Sequence, residues 1–235
     1  MNIIETYKQQ FSDRKLVYSM VISFVMLFFS FLVNYLSSLY AYERASNFVD
    51  DIVLSNMPTY NVDWVFVWGP IIFWVVLAYF LLKDPKKLPF TLKTVSLFVV
   101  IRAFFVIMTH LGPPPDHSPL TVFGTNWVAD FLGTNPVFSF IFSSGADLFF
   151  SGHTGLPFIL ALVFWEMKGL RVFCLATSVF FGIIVLLGHL HYTIDVASAF
   201  FITFAIYHIA THIFKTDKEM FLGYNSMHEH SQTIQ

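Results

Sequence analysis

Six long stretches of this chain contain almost no Asp, Glu, Lys or Arg, and this feature restricts the possible folds more than any other. The stretches are residues 16–42, 64–82, 94–111, 148–165, 172–190 and 196–214, and Arg102 is the single such residue inside them. A helix needs about 20 residues to cross about 30 Å of hydrocarbon. The pattern therefore predicts an all-α polytopic membrane protein, a six-transmembrane-helix bundle in which residues 1–235 form a single membrane-embedded domain.

Composition supports the same class and excludes several others. Apolar residues make up 56% of the chain and charged residues 12%, about half of the ~25% that is typical of soluble domains. The net charge is -2, and no basic run is present, so we expect no nucleic-acid partner. Cys174 is the single cysteine, which excludes an internal disulfide and a Cys-based zinc site. The uncharged stretch 131–146 contains Gly133 and Pro136, and we expect a loop or an interfacial helix there rather than a seventh span.

Basic residues are distributed unevenly between the two sides of the predicted spans. Eleven of the 13 lie on the side of the termini, namely Lys8, Arg14, Lys15, Lys83, Lys86, Lys87, Lys93, Lys168, Arg171, Lys215 and Lys218. Cytoplasmic loops carry an excess of Lys and Arg. We therefore expect both termini in the cytoplasm and the connections 43–63, 112–147 and 190–195 on the periplasmic, lumenal or extracellular side.

Few ionisable residues lie within or beside the spans, and such residues are costly enough to mark functional sites by default. They are Arg102, His153, His189, His191 and Asp195. At 1.5 Å per residue, Arg102 lies roughly 13 Å and His153 roughly 8 Å from the outer helix ends. We expect the group to gather in the outer half of the bilayer.

His191 and Asp195 are four residues apart, so they share a face if the segment is helical. A carboxylate beside the imidazole Nδ1 fixes the tautomer and raises the basicity of Nε2, which makes the pair a nucleophile or a general base. A helix-capping Asp next to an interfacial His is the alternative interpretation.

His153 lies within Ser151-Gly152-His153-Thr154-Gly155, directly before an apolar stretch. Glycines allow close backbone approach, and a helix N-terminus offers N–H donors to an anion. The segment thus suits a phosphate, with His153 as proton donor; a flexible helix start with an incidental His is the alternative.

The other histidines favour structural interpretations. We expect a structural or supporting role for His189, because it is two residues from His191 and faces away from it on a helix. His208 and His212 have the spacing of metal ligands, but they lie near the cytoplasmic end without a carboxylate partner, which favours packing. We therefore predict no metal and no other cofactor.

Two segments together carry a resemblance to a known family. Gly145-Ala146-Asp147-Leu148-Phe149-Phe150-Ser151-Gly152-His153-Thr154 is followed by His191-Tyr192-Thr193-Ile194-Asp195. The pair resembles the Cys-Gly-Asp…Ser-Gly-His-Thr and His-Tyr-Thr-x-Asp motifs of the sphingomyelin synthase branch of the type-2 phosphatidic acid phosphatase superfamily. Arg102 with Thr109, Leu111 and Pro113 is similar to a third stretch of that branch. Val185 stands where phosphatase relatives carry an Arg, and the sphingomyelin synthase branch also lacks that Arg.

The resemblance implies a catalytic triad of His153, His191 and Asp195. We also expect Arg102, Asp147, Ser151 and Thr154 to contact the substrate. The implied activity moves a phospho-head group from a phospholipid donor to ceramide or another lipid hydroxyl through a phosphohistidine. A lipid phosphate phosphatase that uses water remains an alternative, as does a non-catalytic membrane transporter or scaffold.

Charge on the predicted outer connections bears on the substrate. Arg44 is their only basic residue, whereas seven carboxylates lie there, namely Glu43, Asp50, Asp51, Asp63, Asp116, Asp130 and Asp147. A dianionic phosphomonoester normally requires several Lys or Arg. Tyr60, Trp64, Trp68 and Trp127 are nearby in sequence, and aromatic faces attract quaternary ammonium groups by ~0.5–2 kcal/mol. We therefore expect a phosphodiester with a cationic head group, unless the carboxylates only reflect topology.

Overall fold

The computed structural model describes residues 7, 10–115 and 148–223, and all regular structure in this part of the chain is helical. In chain order, the α-helices with described bounds are α1 Arg14–Glu43, α2 Asp63–Lys83, α3 Leu88–Thr109, α4 Gly152–Val163, α5 Lys168–Leu187, α6 Thr193–Ile213 and α7 Lys215–Leu222. Short 3-10 helices lie at Leu54–Asn56 and Pro85–Lys87. The prediction of an all-α membrane protein is confirmed. The stretch 131–146 lies outside the described residues.

Five of the helices, α1, α2, α3, α5 and α6, are long and apolar enough to cross a membrane. Each coincides with one of the predicted spans, although α3 begins at Leu88 rather than near residue 94. Lys93 therefore lies inside α3 and not in the connection before it. The helix can begin before Lys93 because Asp217 of α7 neutralises the ammonium group of this lysine.

The fourth predicted span, 148–165, is helical only over the 12 residues of α4. At 1.5 Å per residue this helix is about 18 Å long, shorter than the hydrocarbon layer. The cause lies at its start. The carbonyl oxygen of Phe150 accepts a hydrogen bond from the Arg102 side chain, and the Thr154 N–H donates to the Ser151 hydroxyl oxygen, so neither group continues a helix toward residue 148.

Helix α1 packs mainly against α3, and its buried face consists largely of small and polar residues. Ser19, Ser23, Ser30 and Ser37 are buried, whereas Phe24, Phe28 and Phe29 are more than half exposed. Lipid offers no hydrophobic driving force for helix association, so membrane helices associate through close packing. Small residues permit this because they let the helix backbones approach closely. The bulky face of α1 therefore suits contact with lipid.

A buried ion pair between Asp217 of α7 and Lys93 of α3 holds α7 against the bundle. Lys93 Nζ lies 2.7 Å from Asp217 Oδ2 and donates a hydrogen bond of 2.7 Å to Ser19 Oγ. Ser19 donates in turn to the Asp217 carboxylate. These contacts place the starts of α1 and α3 and the end of α6 at one end of the bundle. The starts of α4 and α6 lie at the opposite end, where the candidate site is found.

Candidate active site

Ser151 caps the N-terminus of α4 and is fully buried. Its hydroxyl oxygen accepts hydrogen bonds from the N–H and from the hydroxyl of Thr154, at 3.4 and 3.3 Å. Such a cap satisfies one of the backbone donors that a helix start leaves without a partner. The carbonyl oxygen of buried Thr154 accepts from Ser178 on α5 at 2.7 Å. The two hydroxyl residues thus fix the direction in which α4 begins, and a contact with substrate stays a prediction for both.

Arg102, on α3, lies directly against this helix start. Its Nε donates a 2.8 Å hydrogen bond to the carbonyl oxygen of Phe150, and the residue is 7% exposed. A Cβ on Gly152 would approach Arg102 Nε to 3.3 Å and Cζ to 3.5 Å, a spacing tight enough to require a small shift. The absence of a side chain on Gly152 therefore lets the guanidinium group contact the backbone of the motif.

A backbone hydrogen bond joins the two sequence motifs. The Ser151 N–H donates to the carbonyl oxygen of Asp195 at 3.1 Å, although 44 positions separate the two residues. Asp195 lies in the first turn of α6 and is fully buried. The starts of α4 and α6 are consequently held side by side, and each carries one of the two predicted catalytic histidines at or next to its first turn.

His191 lies immediately before α6, with its Nδ1 3.5 Å from Oδ2 of Asp195. Both residues are buried, at 6% and 0% exposure. Asp195 Oδ2 also accepts a 3.0 Å hydrogen bond from the Tyr192 N–H. The carboxylate thus caps α6 and also lies close to His191, and its role in orienting that histidine stays a prediction. The 3.5 Å approach is longer than a hydrogen bond, and catalytic contacts often shorten when substrate is bound.

The His153 ring lies between two aromatic side chains. Phe66 of α2 stacks on it at a centroid distance of 4.2 Å, and Phe181 of α5 contacts it edge-on at 5.9 Å. Phe181 can approach because Gly69 has no side chain, since a Cβ there would lie 2.6 Å from the Phe181 ring. The sequence did not identify either ring as a neighbour of His153.

His189 lies in the turn between α5 and α6, with a left-handed φ of 51°. Its Nδ1 is 3.2 Å from the hydroxyl oxygen of Thr59, and the residue is 2% exposed. The adjacent Tyr60 N–H donates to the carbonyl oxygen of Leu187 at 2.8 Å. His189 therefore contacts the connection between α1 and α2; it lies in a turn and not on the helix that the sequence argument assumed, and its role stays a prediction.

Asp51, in the same connection, contacts the start of α6. Its carboxylate accepts hydrogen bonds from the N–H and from the hydroxyl of Thr193 at 2.6 and 2.9 Å. Burial raises the pKa of Asp51, but its hydrogen bonds from Thr193, Leu54 and Val53 outweigh that effect and lower the pKa below its ordinary value. The sequence placed Asp51 among seven acidic residues and offered no signal for this contact, which joins positions 142 residues apart.

Other predicted residues do not join this group. Asp147 and Trp127 lie outside the described residues. His208 and His212 are exposed on the distal half of α6, where His212 Nδ1 lies 2.9 Å from the His208 carbonyl oxygen. Among the described residues, no three His, Cys, Asp or Glu form a group that suits a metal ion. A cavity of about 400 Å³ that includes Tyr207 and Lys218 lies at the end of the bundle opposite the histidine motifs.

One family model matches the part of the chain that contains both histidine motifs. The family model described as PAP2 superfamily C-terminal matches residues 145–213, a stretch that includes α4, α5, α6 and both histidine motifs. The match covers less than a third of the 235 residues. It supports the type-2 phosphatidic acid phosphatase superfamily, whose members are phosphatases or phosphotransferases, and hence an enzyme that acts on membrane lipids. No curated protein and no solved structure matches the chain.

Proposed function

We propose that this protein is a lipid phosphotransferase of the sphingomyelin synthase type, with His153, His191 and Asp195 as its catalytic residues. The observation that carries the proposal is the hydrogen bond from the Ser151 N–H to the Asp195 carbonyl oxygen. It brings the helix start with His153 beside the helix start with His191 and Asp195. Two histidines, one of which faces a carboxylate, are the groups that a double displacement at phosphorus needs.

In the first step, Nε2 of His191 attacks the phosphorus of a phospholipid. The new N–P bond forms while the P–O bond to the lipid alkoxide breaks, and His153 gives its proton to that alkoxide. The products are a diacylglycerol and a phosphohistidine that retains the head group. Asp195, close to His191 Nδ1, stabilises the positive charge that develops on the imidazole.

In the second step, His153 accepts the proton of a hydroxyl group on ceramide or another lipid. The resulting oxygen nucleophile attacks the phosphohistidine, the N–P bond breaks, and His191 is regenerated. The two aromatic neighbours of His153 suit this proton transfer because they restrict the ring orientation. The covalent intermediate divides one difficult displacement into two easier ones.

Arg102 and the start of α4 are assigned to the phosphate. The positive end of a helix dipole and a guanidinium group both stabilise negative charge on phosphate oxygens. Arg102 is buried beside Gly152 and braces the carbonyl oxygen of Phe150, so it has a positioning role in addition to its charge. Asp147 is kept as a substrate contact on the resemblance alone.

The site is further assigned to the non-cytoplasmic face of the membrane, with both termini in the cytoplasm. The support is the excess of Lys and Arg near the termini. At the same end as the histidines lie the connection 44–62 and the exposed Trp64 at the start of α2. Tryptophan is enriched at both membrane interfaces, which agrees with a site at headgroup depth.

The second candidate is a lipid phosphatase in which water replaces the acceptor lipid, and the family match favours it equally because it covers both reaction classes. The two are separated by product analysis. Purified protein is incubated with head-group-labelled phosphatidylcholine, phosphatidylethanolamine or phosphatidic acid, with and without ceramide and in the presence of a chelator. Transfer predicts a new labelled lipid from the first two donors only when ceramide is added. Phosphatidic acid as the best donor, with free phosphate as product, would support the phosphatase instead.

A further inference from the structure

The connection between α1 and α2 lies over the start of α6; two of its residues bond to that segment, and a third bonds to the end of α5. Asp51 contacts Thr193, the Val49 N–H donates to the Tyr192 hydroxyl at 3.2 Å, and the Tyr60 N–H donates to the Leu187 carbonyl oxygen. We call residues 46–62 the outer loop. Two of these contacts reach Tyr192 and Thr193, which lie in the motif that carries His191 and Asp195.

Of these three residues, Asp51 makes the most hydrogen bonds. Besides the two bonds from Thr193, its carboxylate accepts from the N–H groups of Val53 and Leu54 at 2.9 and 3.2 Å. One carboxylate therefore fastens its own turn of the outer loop and the first residue of α6 at the same time. With four donors already bonded to it, the carboxylate is a poor candidate for the cationic head-group site that its charge suggested in the sequence.

The start of α6 is where small rotations affect the proposed chemistry most. The N–H groups in the first turn of a helix have no partner inside the helix. Here Asp195 accepts from the Tyr192 N–H, and Asp51 accepts from the Thr193 N–H. The bond from the Tyr192 N–H holds the Asp195 carboxylate near His191. The bond from the Thr193 N–H to Asp51 fixes the same turn to the outer loop. The positive end of the helix dipole also stabilises a carboxylate at this position.

We propose that Asp51 is a positioning residue for the transfer reaction. Its carboxylate fixes Thr193 against the outer loop, and this keeps Asp195 within reach of His191 Nδ1. Asp51 itself does not touch the reacting atoms. The inference rests on the proposed function for its effect on turnover, whereas its effect on the start of α6 is independent of any activity.

The chain offers a matched control in Asp50, the neighbouring carboxylate, which is exposed. Asp51→Asn removes the charge with little change in shape and should lower kcat about tenfold, the size of one lost charge-assisted hydrogen bond. The KM for the donor lipid should change less than about twofold, because ground-state binding is not altered. Asp50→Asn should leave both constants unchanged, and Asp51→Glu should restore part of the loss.

Thr193→Val tests the same contact from the other side, and it keeps the carboxylate if Asp51→Asn fails to fold. It should lower kcat about threefold, since it removes the hydroxyl bond and leaves the N–H bond. The double variant should be less impaired than the product of the two single effects, because both substitutions weaken one contact. Multiplicative effects in the double variant would overturn the proposed coupling.

Hydrogen exchange supplies a measurement that needs no catalysis. Peptides that cover residues 187–196 should exchange faster in Asp51→Asn than in the wild type and the Asp50→Asn control. Unchanged exchange with a raised KM would overturn the proposal, because Asp51 would then act on substrate. If the wild type neither transfers nor hydrolyses a lipid phosphate, the proposed function fails. Faster exchange in Asp51→Asn would still establish the contact, and unchanged exchange would refute it.

Discussion

The backbone N–H of Ser151 donates a hydrogen bond to the carbonyl oxygen of Asp195 at 3.1 Å. Ser151 caps the helix that carries His153, and Asp195 lies in the first turn of the helix that His191 precedes. A bond between main chains survives most changes of side chain. The pairing of the two helix starts is therefore a property of the fold, and side-chain substitutions at the site can test chemistry without separating the motifs.

The two histidines should both be required for turnover. His153→Ala and His191→Ala should each lose nearly all activity, because one removes the proton donor and the other the nucleophile. Asp195→Asn should retain a small fraction, since the tautomer of His191 would be disturbed. His208→Ala is the matched control, because His208 is exposed on α6, the helix that begins with Asp195 in its first turn. This variant should keep full activity. The measurement is the initial rate of lipid transfer for each purified variant.

Substantial activity in His191→Ala would contradict the assignment of the nucleophile. Loss of folding is monitored by size-exclusion chromatography in detergent, because His191 is buried and its removal leaves a cavity. His191→Gln, which is closer in volume, gives a second test of the same role.

Gly152→Ala should lower activity by about threefold to tenfold, because misplacement of a catalytic group by a fraction of an ångström is costly. The new Cβ would crowd the Arg102 guanidinium at 3.3 Å and displace it from the start of α4. Gly169→Ala is the control, since a Cβ there meets nothing within 4 Å. Steady-state kinetics of both variants check the expectation, and equal rates would show that the Arg102–Gly152 contact does not matter for turnover.

The candidate site should face away from the cytoplasm. In a Cys174→Ser background, a cysteine at Ile52, which is 83% exposed in the outer loop, should react with an impermeant thiol reagent in intact cells or right-side-out vesicles. A cysteine at Lys215, whose side chain is 77% exposed at the other end, should react only after permeabilisation. The reverse pattern would invert the proposed topology.

Acid should remove the stabilisation that Asp51 provides. Its pKa is lowered from 3.8 in the folded protein, so the folded state favours the carboxylate. The contribution is complete well above the ordinary pKa of 3.8 and is lost as the pH falls through that value toward the lower pKa of the folded state. At pH 6, Asp51→Asn should lower the free energy of unfolding by about 1 kcal/mol, comparable to a lost helix cap.

Thermal unfolding in detergent at a series of pH values checks this expectation. The difference between wild type and Asp51→Asn should narrow as the pH falls from 5 to about 3. A difference that stays constant over this range would mean that the charge of Asp51 does not contribute. Asp50→Asn, measured in parallel, corrects for the general effect of one lost surface charge.

Helix positions were largely predictable from the sequence because charged residues rarely enter hydrocarbon unaided. The exceptions have local causes. Lys93 enters α3 because Asp217, 124 residues away, neutralises it. The helix within 148–165 begins late because Arg102 takes the carbonyl oxygen of Phe150. Neither partner can be identified from hydropathy, which treats each stretch of the chain independently.

The proximity of the site residues was predictable in part. Spacing indicated that His191 and Asp195 share a face if their segment is helical; they are close in the structure, although His191 precedes α6. Depth along the spans indicated that His153 lies near the same end of the bundle. Phe66 and Asp51 were not predicted to contact the site. Their contacts with His153 and Thr193 depend on how distant segments pack, and single apolar or acidic residues at such positions carry no distinguishing pattern.

The central claim is that His191 forms a covalent bond with phosphorus, and single-turnover trapping tests it most directly. Wild-type protein is mixed with phosphatidylcholine labelled at phosphorus, in the absence of acceptor lipid, and quenched under alkaline conditions in which phosphohistidine survives. The proposed mechanism predicts label on the peptide that contains His191, its disappearance when ceramide is added, and no label in His191→Ala. Labelled product formed without any labelled protein, or label on His153, would contradict the mechanism.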